Sequence, residues 1–179
     1  IFSLMESFFH GKSSGLDPLN SFLSLPILIH SKSDIEPTGI PSQSQHGKAA
    51  VFLLDSGMTS ETAPLVSIFL DNFEAPAFRK MMKDEFIAIS DRCIEHFLKG
   101  NISSLFSDVK KLSSVVLDHF SPMIPKRFLK LWKTGLETNA YYLKLCGSGG
   151  GGYILGFTQD LPKAKALLSD HKLEVVYTF

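Results

Sequence analysis

Residues 144–157 read KLCGSGGGGYILGF, and the glycine/serine run at 147–152 separates two apolar stretches. A flexible glycine/serine linker normally joins two domains, but too little chain follows this run to form a further domain. Glycines can instead form a tight structural turn, or they can let backbone amides approach an anion, because no side chain stands in the way. The residues alone favour neither the structural turn nor a turn close to phosphate or substrate.

The run also contains the spacing G-x-G-x-x-G, at Gly147, Gly149 and Gly152. In a dinucleotide-binding loop a helix follows this pattern, whereas the branched and aromatic residues of YILGFT predict a strand here. No G-K-[ST] sequence follows, which excludes a Walker nucleotide-binding loop. The glycines therefore lie between two predicted strands, residues 141–146 and 153–158.

The rest of the chain predicts a mixed fold. Residues 26–31, 47–57 and 173–179 have the composition of strands, while the polar residues 34–45, with two prolines, predict an exposed connection. Helices are predicted up to His10, at 18–23, from about 125 to 139 and from 162. Apolar residues at intervals of three and four predict two more: Phe78, Met82, Phe86, Ile89, Cys93 and Phe97, then Ile102, Leu105, Val109, Leu112, Val116 and Phe120. Grouped helices without regular βαβ alternation predict an α+β fold, a ferredoxin-like α/β sandwich with additional helices.

The composition indicates a folded domain without a strong overall charge. Of the 179 residues, 44% are hydrophobic and 20% are charged, as in globular proteins rather than disordered chains. The 18 basic and 18 acidic residues cancel, which disfavours nucleic acid or an anionic membrane as a partner. No apolar run approaches the ~20 residues of a membrane-spanning helix. The two cysteines show no metal-ligand spacing, so a reducing cytoplasm is the expected location.

A second stretch, ESFFHGKSSGLDPLNSF at residues 6–22, combines acidic residues with histidine and glycine. Glu6 and His10 are four residues apart, as in ordinary surface pairs on a helix, and Asp17-Pro18 is typical of a helix start. If the loop instead brings both acids to one space, one carboxylate could bind Mg²⁺ while the other orients an attacking hydroxyl. Both interpretations stay open, and the residues alone favour the structural one.

The two stretches taken in order show a resemblance. The pattern E-x-x-x-H-G-x-x-S-G-x-D, followed far downstream by K-L-C-G-S-G-G-G-G, resembles the mevalonate kinases of the GHMP kinase superfamily. The matching residues are Glu6, His10, Gly11, Ser14, Gly15, Asp17, Lys144, Leu145 and Gly147 to Gly152. The resemblance covers essentially the whole chain and corresponds to the C-terminal half of such a kinase.

This resemblance implies transfer of the γ-phosphoryl group of ATP to an alcohol, in that family the C5 hydroxyl of mevalonate. Asp17 would be the catalytic residue beside the hydroxyl, and Glu6 would bind Mg²⁺. The substrate-binding residues would be His10, Gly15 and Thr62. The loop at the phosphate and substrate would consist of Gly147, Ser148, Gly149, Gly150 and Gly151. ATP and a mevalonate-like alcohol are thus the expected partners, with no nucleic acid and no membrane, and a homodimer is an option.

The chain departs from the family pattern at several positions. Lys12-Ser13 stands where the family usually has Asn-Pro, Ser60 replaces a common arginine, and Ser148 replaces an alanine. These changes leave another small alcohol as an alternative substrate of a GHMP kinase. A non-catalytic binding module with the same fold is the alternative function.

The resemblance also implies a division into domains. Residues 1–55 would form the end of the N-terminal kinase domain, including the loop with Asp17, and residues 56–179 the C-terminal GHMP domain. The family's phosphate-binding loop P-x-x-x-G-L-G-S-S, which opens a helix, does not occur in this sequence. We therefore expect the chain to be part of a longer enzyme and to show no turnover by itself.

Overall fold

A computed structural model describes residues 2–10, 15–31, 33–59 and 62–179, apart from the side chains of Glu6, Phe9, His10 and Asp17. The chain divides into two compact units, Ile1–Pro41 and Ser42–Phe179. The family-based domain boundary after residue 55 stays a prediction.

The first unit consists of two helices and a β-hairpin. Its elements are α1 (Phe2–His10), α2 (Leu16–Leu23), β1 (Ile27–Ser31) and β2 (Asp34–Pro37). Gly15, between the helices, has a left-handed φ of 76°, and a Cβ there would lie 2.4 Å from the amide nitrogen of Ser3. Only glycine lets the two helices approach this closely.

Two sequence-based interpretations of this unit are wrong. Asp17 does not occupy the N-cap position of α2, because the helix begins at Leu16 and the N-cap residue is Gly15. A glycine in the left-handed region can turn the chain into the helix without an acidic cap. Residues 34–45 are not entirely a connection, because β2 pairs antiparallel with β1. The polar segment 34–37 forms a strand because it pairs with β1, and the composition of the segment alone does not reveal this partner.

In its described residues, the second unit contains a four-stranded sheet and six α-helices. Its strands are β3 (Ala50–Asp55), β4 (Tyr142–Leu145), β5 (Tyr153–Thr158) and β6 (Leu173–Thr178). Its helices are α3 (Thr62–Phe73), α4 (Pro76–Met81), α5 (Ala88–Leu98), α6 (Ile102–His119), α7 (Leu129–Thr138) and α8 (Leu161–Leu167). A π-helical turn (Met82–Ile87) connects α4 to α5, and 3₁₀ turns (Ser121–Met123 and Lys126–Phe128) lie between α6 and α7.

The sheet has the order β4-β5-β3-β6, and every neighbouring pair is antiparallel. An antiparallel sheet with grouped helices confirms the α+β class. The glycine run joins the edge strand β4 to the interior strand β5. At the edge of β4, the Leu143 amide donates to Ser113 Oγ at 3.2 Å, so that α6 covers backbone that an open edge would expose.

The core forms where α6 and α7 pack on the sheet. The Trp132 side chain is 1% exposed, and its indole nitrogen donates to the Ser113 carbonyl at 3.0 Å. Gly135 in α7 is required by packing, because a Cβ there would lie 2.5 Å from the Tyr141 ring. Helix α7 thereby comes close enough to bury Tyr141 completely.

Most helices agree with the prediction, with three differences. The predicted apolar stripe is confirmed, since Phe78, Met82 and Phe86 pack against the core and Ile89 is buried. The π-helical turn and α3 were not predicted; α3 is apolar on several sides, with Leu65, Val66, Ile68, Phe69 and Leu70 close together, so its sequence shows no one-sided stripe. The helix predicted from residue 125 begins at Leu129, after a 3₁₀ turn. Within the described ranges, no helix has both the length and the apolar character needed to cross a membrane.

Candidate functional site

The glycine run forms a turn whose backbone only glycine adopts readily. The φ angles of Gly147, Gly149, Gly150 and Gly152 are 59°, 77°, 77° and 67°. Each of these values lies in the left-handed region, where a Cβ meets the neighbouring carbonyl. The run is therefore a specific conformation with four left-handed residues among six, which a sequence of ordinary residues could not readily form.

Two neighbouring segments hold this turn in place. The Gly150 amide donates to the Met123 carbonyl at 2.6 Å, and the Gly152 amide donates to the Met58 carbonyl at 2.8 Å. A Cβ at Gly149 would lie 2.6 Å from the Met123 carbonyl oxygen, and one at Gly151 would lie 2.7 Å from that of Met58. The turn is thus packed between two backbones, which rules out a flexible linker.

A second turn supports the first from the end of β3. The Gly57 amide donates to Asp55 Oδ1 at 2.7 Å, and the Met58 amide donates to the fully buried Ser56 hydroxyl at 3.2 Å. These bonds form the local side-chain turn that Asp and Ser favour. The Ser56 amide in addition donates to the Gly152 carbonyl at 2.8 Å, so the turn 55–58 and the glycine turn are joined in both directions.

Three amides of the glycine turn stay available. In the part of the chain that the structure describes, the amides of Gly147, Ser148 and Gly151 have no hydrogen-bond partner, whereas those of Gly149, Gly150 and Gly152 donate to carbonyls. Amides without a partner at a glycine-rich turn can donate to an anion. Three amides therefore hold the turn in its conformation, and the other three can donate to a ligand. A structural turn and a turn close to phosphate or substrate are thus compatible interpretations.

The structure brings two of the predicted site residues together. Thr62 is the first residue of α3, and Ser148 Oγ donates to its Oγ1 at 3.4 Å. Thr62 and Ser148 are 86 positions apart in sequence. Because α3 starts only a few residues after the Asp55–Met58 turn, that turn also sets where Thr62 meets the glycine turn.

The other predicted site residues lie in the first unit. Glu6 and His10 belong to α1 and Asp17 to α2, but their side chains are outside the described residues, as are residues 11–14 and Ser60. Gly15 is described and serves the close approach of α1 and α2. The roles assigned to Asp17, Glu6 and His10 stay predictions.

The described residues place the ammonium group of Lys144, and no activated thiol, beside the turn. Lys144 Nζ donates to the Leu145 carbonyl at 3.2 Å, and no described carboxylate forms an ion pair with it. Partial removal of the sulfur from water raises the pKa of the Cys146 thiol, and burial raises the pKa of Cys93 to about 11. Both thiols are therefore protonated at neutral pH and are weak nucleophiles.

No metal site is formed by the described residues. Among these residues, His, Cys, Asp and Glu side chains do not come together in groups of three or more that could hold a metal ion. Mg²⁺ commonly uses one or two carboxylates together with substrate phosphates, so a cluster of protein ligands is not required for it. The predicted ligand, Glu6, has a side chain outside the described residues.

Sequence reasoning missed the parts of the site that belong to the backbone. The Met58 and Met123 carbonyls accept the bonds that hold the glycine turn, yet methionine identity carries no information about a carbonyl position. The D-S-G sequence at 55–57 after a predicted strand is a turn signal, and it could have indicated the supporting turn.

Comparison with known proteins identifies the fold. No protein-family model and no curated protein sequence matches the chain. Among solved structures, it is similar to L. major mevalonate kinase in complex with R-mevalonate, with 19% identity, a TM-score of 0.68, and coverage of 92% of this chain and 49% of that one. It is also similar to the Lin0012 protein from Listeria innocua, with 17% identity, a TM-score of 0.60, and coverage of 92% and 51%. This chain thus spans about half the length of the solved structures it matches, and its fold is similar to that of the mevalonate kinase among them.

Proposed function

We propose that this chain is part of an ATP-dependent kinase that transfers the γ-phosphoryl group of ATP to a small alcohol, with mevalonate as the substrate and 5-phosphomevalonate as the product. The observation that carries the proposal is the glycine turn, where unpaired amides lie beside the hydroxyls of Thr62 and Ser148 in a chain with the GHMP kinase fold. The mevalonate kinase among the similar structures was solved with R-mevalonate, which supports the choice of alcohol.

In this proposal the two hydroxyls and the unpaired amides position the reacting groups. The amides of Gly147, Ser148 and Gly151 donate to phosphate oxygens or to a polar group of the substrate. Backbone amides fixed by the Met58 and Met123 carbonyls need no rearrangement during the reaction, which is the form of electrostatic stabilisation that contributes most to catalysis. Thr62 Oγ1 and Ser148 Oγ orient the alcohol by exchanging their mutual bond for bonds to it.

Asp17 is the proposed catalytic residue. An aspartate with its ordinary pKa near 3.9 is a weak base toward an alcohol, so its contribution is to align the hydroxyl and to accept its proton as the phosphorus–oxygen bond forms. In phosphoryl transfer, positioning and charge stabilisation supply most of the rate enhancement. His10 and Gly15 complete the proposed substrate contacts.

Glu6 is the residue that would hold Mg²⁺, through one carboxylate with the remaining positions left to water and phosphate oxygens. The ion would neutralise charge on the phosphate oxygens when ATP is bound. ATP and Mg²⁺ are therefore the proposed cofactors. The proposal also includes a homodimer and a cytoplasmic location.

The test is an assay of ADP release with a panel of small alcohols, using the longest polypeptide that contains this chain. We expect mevalonate to be preferred, and we expect Asp17→Asn to reduce kcat by roughly 10²–10⁴-fold while nucleotide binding changes little. Activity of Asp17→Asn within a few fold of the unaltered protein would contradict the catalytic assignment.

A different alcohol is the second candidate, and Ser148 favours it. The family position is usually alanine, and the additional hydroxyl donates to Thr62 at 3.4 Å, which makes this part of the site more polar. A clear preference for another alcohol in the same panel would replace mevalonate and retain the kinase. Absence of stabilisation by ATP, Mg²⁺ and every alcohol, in a protein that contains this chain, would instead support a non-catalytic binding module.

A further inference from the structure

The second unit contains a cavity of about 310 Å³ behind the glycine turn. Its apolar wall consists of side chains from α3, the π-helical turn and the end of α6, together with the two residues Phe120 and Met123 that follow α6: Val66, Phe69, Met82, Phe86, Val116, Phe120 and Met123. The Phe120 ring lies 5.2 Å from that of Phe86 and 6.4 Å from that of Phe69. Aromatic rings and flexible thioethers make a wall that adapts to an apolar chain.

The cavity opens to solvent along α3. Val66 lines it and is 41% exposed, so the same side chain touches both the cavity and the solvent. Helix α3 has no buried residue and packs against the core through the partly buried Leu65 and Phe69. A small molecule can therefore enter without disrupting a buried helix.

One end of the cavity is polar and positively charged. Lys144, Gly147 and Ser148 contribute to its lining. The ammonium group of Lys144 has only the Leu145 carbonyl as a partner within the described residues, and the amides of Gly147 and Ser148 have none there. An ammonium and two amide donors at the end of an apolar cavity are complementary to a single anionic group.

We propose that this cavity binds a small amphipathic anion, an apolar chain that ends in a carboxylate, of about the size of octanoate. The volume lies at the lower limit of ligand pockets, and at ~30 Å³ for each water-sized group it accommodates roughly ten non-hydrogen atoms, about the number in octanoate. One ammonium balances one charge, which favours a carboxylate over a phosphate. The amides of Gly147 and Ser148 also belong to the proposed kinase site, so the two proposals share donors. Octanoate binding nevertheless requires neither ATP nor an alcohol substrate, so it can fail while the kinase proposal stands, and the reverse.

Methionine methyl groups offer a local readout. The chain has five methionines, of which Met82 and Met123 line the cavity while Met5, Met58 and Met81 do not. Met81 is the direct neighbour of Met82, so Met5 and Met58 serve as the references. With [¹³C]methyl-methionine protein, titration with octanoate should shift the signals of Met82 and Met123 in a saturable manner and leave those of Met5 and Met58 in place. No shift at Met82 and Met123 up to millimolar octanoate, or shifts of similar size at all four methionines, would overturn the proposal.

Two pairs of variants separate the apolar and the charged parts. Val66→Glu places a negative charge at the opening and should abolish octanoate binding measured by calorimetry, whereas Leu70→Glu, at an exposed position of the same helix outside the lining, should leave it unchanged. Lys144→Gln should weaken octanoate binding about tenfold, the effect expected for a charge-assisted hydrogen bond, while Lys144→Arg retains it. Equal effects of Val66→Glu and Leu70→Glu would overturn the location.

Control ligands test the class of molecule. Octan-1-ol should bind at least about tenfold more weakly than octanoate to the unaltered protein, and Lys144→Gln should remove that difference. Inorganic phosphate can bind the Gly147 and Ser148 amides, but it has no apolar chain to contact the methionine methyl groups, so it should not shift Met82 or Met123. Octanol binding as tightly as octanoate, or phosphate producing the same shifts, would overturn the assignment of an apolar carboxylate.

Discussion

The Met123 carbonyl accepts a hydrogen bond from the Gly150 amide at 2.6 Å. The same oxygen would lie only 2.6 Å from a Cβ at Gly149, which is too close for two atoms that are not bonded. One carbonyl thus both fixes the glycine turn and excludes a side chain at position 149. Because Met123 also lines the apolar cavity, the turn and the cavity share a wall.

Gly149→Ala should destabilise the protein strongly. Alanine would have to adopt a φ of 77° and its Cβ would meet the Met123 carbonyl, so we expect a loss of roughly 2–5 kcal/mol in the free energy of unfolding. Gly147→Ala is the control, because its φ of 59° is also left-handed but its Cβ would meet open space, with an expected loss of about 1–2 kcal/mol. Urea denaturation measures both, and equal losses would show that the contact with Met123 has no energetic consequence.

Ser113→Ala should remove the bond that covers the edge of β4. The Leu143 amide would be left buried without an acceptor, which costs about 1–3 kcal/mol. The neighbouring Ser114→Ala, at a partly exposed position of the same helix, should change stability by less than about 0.5 kcal/mol. Hydrogen exchange of the Leu143 amide should accelerate only in Ser113→Ala, and unchanged exchange there would contradict the contact.

Asp108→Asn should destabilise the protein in a pH-dependent manner. Arg92 Nε donates to Asp108 Oδ2 at 3.0 Å, and this bond, which outweighs the opposing effect of burial, holds the pKa of the carboxyl below its usual range. A carboxyl with a depressed folded-state pKa stabilises the protein above its unfolded pKa near 3.9, and this contribution is lost as the pH falls through the folded value. His96 and Lys111 also face the carboxylate.

At pH 7 we expect Asp108→Asn to cost about 1–2 kcal/mol, a value reduced because Arg92 and Lys111 are partly exposed. The difference from the unaltered protein should shrink as the pH falls below about 4. Asp118→Asn, at an exposed position of the same helix, serves as the control. Urea denaturation between pH 3 and pH 7 gives the comparison, and a pH-independent difference would argue against stabilisation by the ionised carboxylate.

Alkylation should distinguish the two cysteines. Burial raises the pKa of Cys93 to about 11, so at pH 8 only about 0.1% of it is the reactive thiolate, and its partial burial hinders access further. Cys146, although its pKa is also raised, is exposed and should react first with iodoacetamide in the folded protein. Peptide mass spectrometry in buffer and in urea provides the test; rapid modification of Cys93 without urea would mean that α5 opens readily.

The sequence by itself determined the α+β class, most of the helices and strands, and the location of the glycine turn between two strands. These features depend on local periodicity and on residues such as Gly149, whose left-handed backbone conformation glycine adopts far more readily than other residues. Sequence also indicated the resemblance to GHMP kinases, which the solved structures confirm for the fold.

Only the tertiary structure decided which atoms complete the site. The partners of the glycine turn are the Met58 and Met123 carbonyls, and every residue carries a carbonyl, so no side-chain pattern marks them. The meeting of Thr62 with Ser148 and the apolar cavity of Met82 and Phe120 likewise depend on elements distant in sequence. Strand β2 escaped prediction for the same physical reason: its stability comes from pairing with β1 rather than from its own residues.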